Sequence, residues 1–156
     1  MIEYIENHGG LGGGGGGGSS YSARIMRISP DYIKVPFSDN SDVWLEFKFE
    51  ESFNGMPSGE GGKMTVEYGV KGSTLKVDED LINVSINQGT DEKPNRLNVS
   101  KYLTSDKITT IKISITCNAS KLTPTAEFEV EATKLVATIK NKNDIQGSYQ
   151  KGVFSV

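Results

Sequence analysis

Val43-Trp44-Leu45-Glu46-Phe47-Lys48-Phe49-Glu50 writes apolar and polar residues in alternation. Successive side chains of a strand point to opposite faces. Val43, Leu45, Phe47 and Phe49 therefore share one face, while Asp42, Trp44, Glu46, Lys48 and Glu50 share the other. A period of two with one wet face is the pattern of a strand in a sheet that packs on one side only.

The same period extends outward from this strand. Ala23 to Ile28 is a short apolar-rich run ending at the turn signal Ser29-Pro30-Asp31, and Tyr32, Ile33 and Val35 follow up to Pro36. Asn54 to Gly62 reads as a long loop that returns into Met64, Val66, Tyr68 and Val70. Lys71-Gly72-Ser73 reads as a tight hairpin turn into Leu75 and Val77. Leu81 to Ile86 alternates again and is closed by Asn87-Gln88-Gly89-Thr90. Leu97 and Val99 lead to Tyr102-Leu103 and a break at Thr104-Ser105-Asp106. Ile111, Ile113, Ile115 and Cys117 then face inward, with Lys112, Ser114 and Thr116 outward. Phe128, Val130 and Ala132 alternate with Glu127, Glu129 and Glu131, and the phase shifts near Thr133 before Leu135, Ala137 and Ile139. No stretch of ten residues carries helical periodicity. The expected fold is all-β, an antiparallel sandwich of about seven to eight strands over residues 21–139.

The chemistry of the chain changes abruptly near residue 20. Met1 to Asn7 mixes charged and apolar residues, and after His8 nine glycines fall between Gly9 and Gly18. Fixing ten such residues costs on the order of 10–20 kcal/mol of backbone freedom, more than a small domain has to spare. Two readings stand side by side. One is a flexible spacer; the other is an arm held by foreign surfaces, where glycine permits close backbone approach. In the second, Met1, Ile2, Tyr4, Ile5, Gly9, Gly10, Leu11, Gly12 and Gly18 are the partner-binding residues. At the far end, Tyr149-Gln150-Lys151-Gly152-Val153-Phe154-Ser155-Val156 reads as the opening strand of a further module after a linker from residue 140.

The bulk properties restrict the chemistry. A net charge of −3, with acids and bases interspersed, leaves no basic stripe for phosphate neutralisation, so nucleic-acid binding is not expected. No run of 18 apolar residues exists, and no membrane insertion is expected. The N-terminus lacks the basic and apolar regions of a secretory signal. Cys117 is the single cysteine, which fits a reducing compartment or a particle assembled in one. The glycine tract ends in Ser19-Ser20-Tyr21 without the lysine and following helix of a phosphate loop. His8, the one histidine, sits beside glycines that cannot orient an imidazole for catalysis. One His and one Cys make a poor metal set, and no cofactor is expected. Asp78, Glu79 and Asp80 could hold calcium at a turn, but the expectation is a solvated acidic turn. Trp44, on the polar face of its strand, is a candidate surface aromatic contact that could stack on a sugar or anchor an interface.

The string Leu97-Asn98-Val99-Ser100-Lys101-Tyr102-Leu103-Thr104-Ser105-Asp106-Lys107-Ile108-Thr109-Thr110-Ile111-Lys112-Ile113 resembles the strand-turn-strand of Ig-like and fibronectin-III-like modules repeated in tailed-bacteriophage fibre and tail proteins. Val43-Trp44-Leu45-Glu46-Phe47 and the hairpin Val66-Glu67-Tyr68-Gly69-Val70-Lys71-Gly72 look like the opening half of the same module. The chain is in particular similar to repeats in structural proteins of crAss-like phages of gut bacteria. The likeness covers about residues 22–139. It departs from the pattern at Ser105-Asp106-Lys107, where the family carries Gly-x-Asn, and galactose-binding-like modules share the motif.

The resemblance implies a non-enzymatic virion protein assembled in the host cytoplasm. Its arm over residues 1–20 would dock on other virion structural proteins, and its modules would project toward a host surface glycan or protein. Homotrimers are usual for such fibres. Two other classes remain: a carbohydrate-binding or adhesin module of a bacterial surface protein, and an ancillary domain of a hydrolase.

Overall fold

The computed structural model describes residues 20–38 and 41–134. The arm residues Met1, Ile2, Tyr4, Ile5, Gly9, Gly10, Leu11, Gly12 and Gly18 lie outside the described residues. So do Leu135, Ala137, Ile139 and the Tyr149 to Val156 strand.

Two sheets face each other across one apolar core. In the first, β1 (Tyr21–Arg27) pairs with β3 (Trp44–Phe53). The other side of β3 is covered in pieces by β4 (Met56–Pro57) and β8 (Asn95–Asn98). Between those two pieces Phe49 N–H donates to Gln88 O at 2.9 Å. The second sheet runs β2 (Tyr32–Phe37), β10 (Thr125–Lys134), β9 (Lys107–Cys117), β5 (Gly62–Val70), with β6 (Lys76–Val77) and β7 (Val84–Ile86) along the outer side of β5. The alternation read from the sequence sets which side chains meet. Leu45, Phe47 and Phe49 from one sheet pack against Val66, Ile111, Ile113, Ile115, Phe128 and Val130 from the other, and all are buried.

The fold is an all-β sandwich with one departure from the expected antiparallel order. The chain changes sheets at Ser29-Pro30-Asp31, and β2 then runs parallel to β10. Ile28 and Ser29 N–H both donate to Glu46 O, closing the first sheet, and Glu129 N–H donates to Asp31 O, opening the second. Proline at the corner removes a donor that neither sheet could use. The long edge this leaves on β2 carries Lys34 and Pro36, residues that discourage further pairing.

Three boundaries differ from expectation. β3 continues through Glu51 to Phe53, because Glu51 keeps the inward phase. The loop from Asn54 to Gly62 begins instead as a two-residue hairpin. Asn54 and Gly55 take φ of 51° and 83°, and Phe53 pairs with Met56. Leu81 to Ile86 divides into a single 3-10 turn over Glu79–Leu81 and the three-residue β7, separated by Asn83 at φ 55°. In the turn before β9 the left-handed position falls on Asp106, at φ 61°, and Asp106 Oδ1 accepts from Lys134 N–H at 2.8 Å. Aspartate is among the few residues besides glycine that visit this backbone region readily.

Candidate functional site

Three places in the sandwich concentrate polar or aromatic chemistry. The first joins the 3-10 turn to the crossover between β8 and β9. Asp78 caps the turn: its Oδ1 accepts from Asp80 N–H at 3.0 Å, and its own N–H donates to Val66 O. Its other oxygen accepts from the Tyr102 hydroxyl at 2.5 Å and faces Lys101 Nζ at 2.9 Å. Tyr102 stacks on Tyr68 with ring centroids 4.5 Å apart. Burial pushes the Asp78 carboxyl up, but the Tyr102, Lys101 and Asp80 donors outweigh it and hold the group below its ordinary value. Chiefly through its hydrogen bond to Asp78, Lys101 is raised; burial first, then Asp78, raises the Tyr102 phenol. The expected solvated acidic turn is therefore corrected, since Asp78 is buried while Glu79 and Asp80 face solvent. With both oxygens of Asp78 taken, the three acids do not converge. Among the described residues no group of three His, Cys, Asp or Glu could hold a metal ion.

The second place is the end of the core where the loop after β9 folds over β3. Glu51 is only 1% exposed. Its Oε1 accepts from the Ser58 hydroxyl at 2.7 Å and its Oε2 from Ser120 N–H at 2.5 Å. Gln88 Nε2 donates on to Ser58 Oγ and to Glu60 O, so one carboxylate gathers three separate loops. Cys117 lies beside it, fully buried. Burial pushes its thiol up to about 12, the Glu51 charge pushes the same way, and a hydrogen bond with Ser120 opposes them. Such a sulfur stays a thiol at neutral pH and is a poor nucleophile or metal ligand. A pocket of about 220 Å³ opens nearby between Gly61, Gly62, Ser85, Ile86, Asn87 and Asn118. None of these lining residues carries an ionisable side chain. A Cβ on Gly61 would stand 2.4 Å from Ile86 O, and one on Gly62 2.8 Å from Ile115 Cγ2, so both positions are held to glycine by close packing.

The third place is the outer face of the first sheet. Trp44 projects from it and is 39% exposed, as its position in the alternation predicts. The Arg96 guanidinium sits 4.3 Å from the Trp44 ring centroid and pairs with Glu46 at 3.3 Å. A cation–π partner already occupies the indole. Sequence reading picked out Trp44 but missed Arg96, which is directly opposite Glu46 on β8 and meets the ring only through that register.

No helix among the described residues is long and apolar enough to cross a membrane. Comparison with protein-family models, with curated proteins and with solved structures finds no match in any of the three.

Proposed function

We propose that this chain is a non-enzymatic structural protein of a bacteriophage virion, the N-terminal part of a tail or fibre protein. Residues 1–20 grip other particle proteins, and residues 21–139 form the first Ig-like module, projecting further modules toward the host surface. A homotrimer is the assembly this reading favours. The observation that carries it is the polarity of the sandwich. Ser20 is tied to Asn54 beside Glu51 and Ser120, whereas Lys134 is tied to Asp106 and pairs with Phe37 at the opposite end. A module that takes the chain in at one end and releases it at the other suits a linear string. The family resemblance of Leu97 to Ile113 supports the same reading.

Deletion of residues 1–18 tests it. The sandwich should stay folded, since its core lies within residues 23–130, while incorporation into particles is lost. Normal incorporation of the shortened chain would remove the attachment role. A second reading, an adhesin module that binds carbohydrate, draws on the exposure of Trp44. Glycan binding that disappears in Trp44→Ala would favour it.

A further inference from the structure

Tyr21, Phe53 and Met56 form one row across β1, β3 and β4: Tyr21 is opposite Phe53, and Phe53 is opposite Met56. Residues directly opposite in a ladder share a face, and this row has the phase of Ala23, Ile25, Phe49 and Glu51, which point into the core. The Glu51 row is the last that the other sheet covers, through Cys117 and Ser120. One row further out the first sheet overruns its partner. Tyr21 and Phe53 are each 38% exposed, with ring centroids 4.7 Å apart, and Met56 is 69% exposed. This is an inward-facing apolar layer with nothing described opposite it.

The chain that could cover it begins at the row itself. Ser20 is fixed to Asn54 by two hydrogen bonds, so residues 1–19 depart within one residue of Tyr21. They carry Met1, Ile2, Tyr4 and Ile5, joined to the row through residues 6–19, most of them glycine. At about 3.3 Å per residue the stretch 6–19 is long enough to bring residues 1–5 back to the row. Being part of the same chain makes the contact intramolecular and independent of protein concentration.

We infer that, in the unassembled protein, Met1, Ile2, Tyr4 and Ile5 seat on the Tyr21–Phe53–Met56 row and complete its missing layer. The contact shields the sticky end of the arm until a particle surface displaces it. It rests on the proposed attachment role only for the identity of what displaces the arm.

Met56 supplies the readout, because its thioether oxidises at a rate set by exposure. The full chain is treated with hydrogen peroxide, and sulfoxide is mapped at Met56, Met26 and buried Met64, with Ile2→Ser/Tyr4→Ser/Ile5→Ser as the comparison. Met56 should oxidise several-fold faster in the triple variant, with Met26 and Met64 unchanged. Equal Met56 rates overturn the inference. Protection of Met56 that grows with protein concentration also overturns it, by assigning the row to a second copy. As a reciprocal arm, Met56→Asp, on an exposed two-residue strand, should speed cleavage after Glu6 by a glutamate-specific protease, and an unchanged rate counts against the contact. Particle incorporation is scored separately, so an arm that does not seat on the row can still prove to be the attachment device.

Discussion

Glu51 and Asp78 are both buried carboxylates, yet the sandwich treats them differently. Asp78 meets a cation, Lys101, together with a phenol and a backbone amide. Glu51 meets neutral donors only, the Ser58 hydroxyl and the Ser120 amide. Lys101 keeps one side in water, with its side chain 54% exposed, whereas the Glu51 partners Ser58 and Ser120 are both half-buried. A buried charge is tolerated when its lone pairs are filled, and removing the acid harms most where the abandoned donors cannot turn to water. Glu51 therefore holds the loops at the arm end more rigidly than Asp78 holds the turn beside β5.

The comparison can be broken by mutation. Glu51→Ala leaves the half-buried Ser58 and Ser120 donors without their acceptor and a void beside Cys117, and should cost about 3 kcal/mol in chemical denaturation. Asp78→Ala should cost less, about 2 kcal/mol, because Lys101 can rehydrate and the Tyr102 hydroxyl bears most of the loss. If Asp78→Ala proves the more damaging, the ranking by access to water is wrong.

pH sharpens the same contrast. The folded Asp78 carboxyl titrates below its unfolded value, so its contribution is present above about pH 4 and disappears as pH falls through the folded value. Tyr102 and Lys101 are raised in the fold, so what they contribute is complete below about pH 10 and is lost as pH climbs beyond it. The stability difference between the wild-type chain and Asp78→Ala, followed across pH, should fade at both extremes. A difference that stays flat from pH 3 to 11 would contradict the assignment.

Smaller effects follow elsewhere. Thr109 is 1% exposed and its hydroxyl finds no partner among the described residues, so Thr109→Val should raise stability by about 1 kcal/mol in thermal unfolding. Arg96→Ala should cost about 0.5 kcal/mol, the scale of an exposed cation–π contact, while shifting Trp44 fluorescence as the guanidinium leaves the ring.

Much of the sandwich is legible in local pattern. The inward faces at Leu45 to Phe49, Ile111 to Cys117 and Phe128 to Ala132 follow from a period of two, and each packs as that period requires. What stays hidden depends on residues far apart in the chain. Glu51 resembles the end of an apolar alternation because an acid at an inward position looks like a loop. Its place becomes clear only when Ser120, distant in sequence, arrives to bond it. Asp78 looks solvated because its partner Tyr102 lies beyond two intervening strands. The parallel run of β2 beside β10 is similarly non-local. Asn54-Gly55 is the exception: the dipeptide is a strong local hairpin signal, and the many glycines that follow obscured it. Of the candidate contact residues, Trp44 was legible from its phase, while its partner Arg96 was not.

The account stands or falls on a module strung in line, with the arm rooted at one end and the continuing chain leaving from the other. Spin labels on Ser22→Cys and Lys134→Cys in the full chain measure this directly, with buried Cys117 unlabelled. Pulsed dipolar spectroscopy should give one distance of about 35 Å, the length of ten strand residues. A single distance of about 20 Å or less would place both chain ends on the same side of the sandwich and contradict the in-line module.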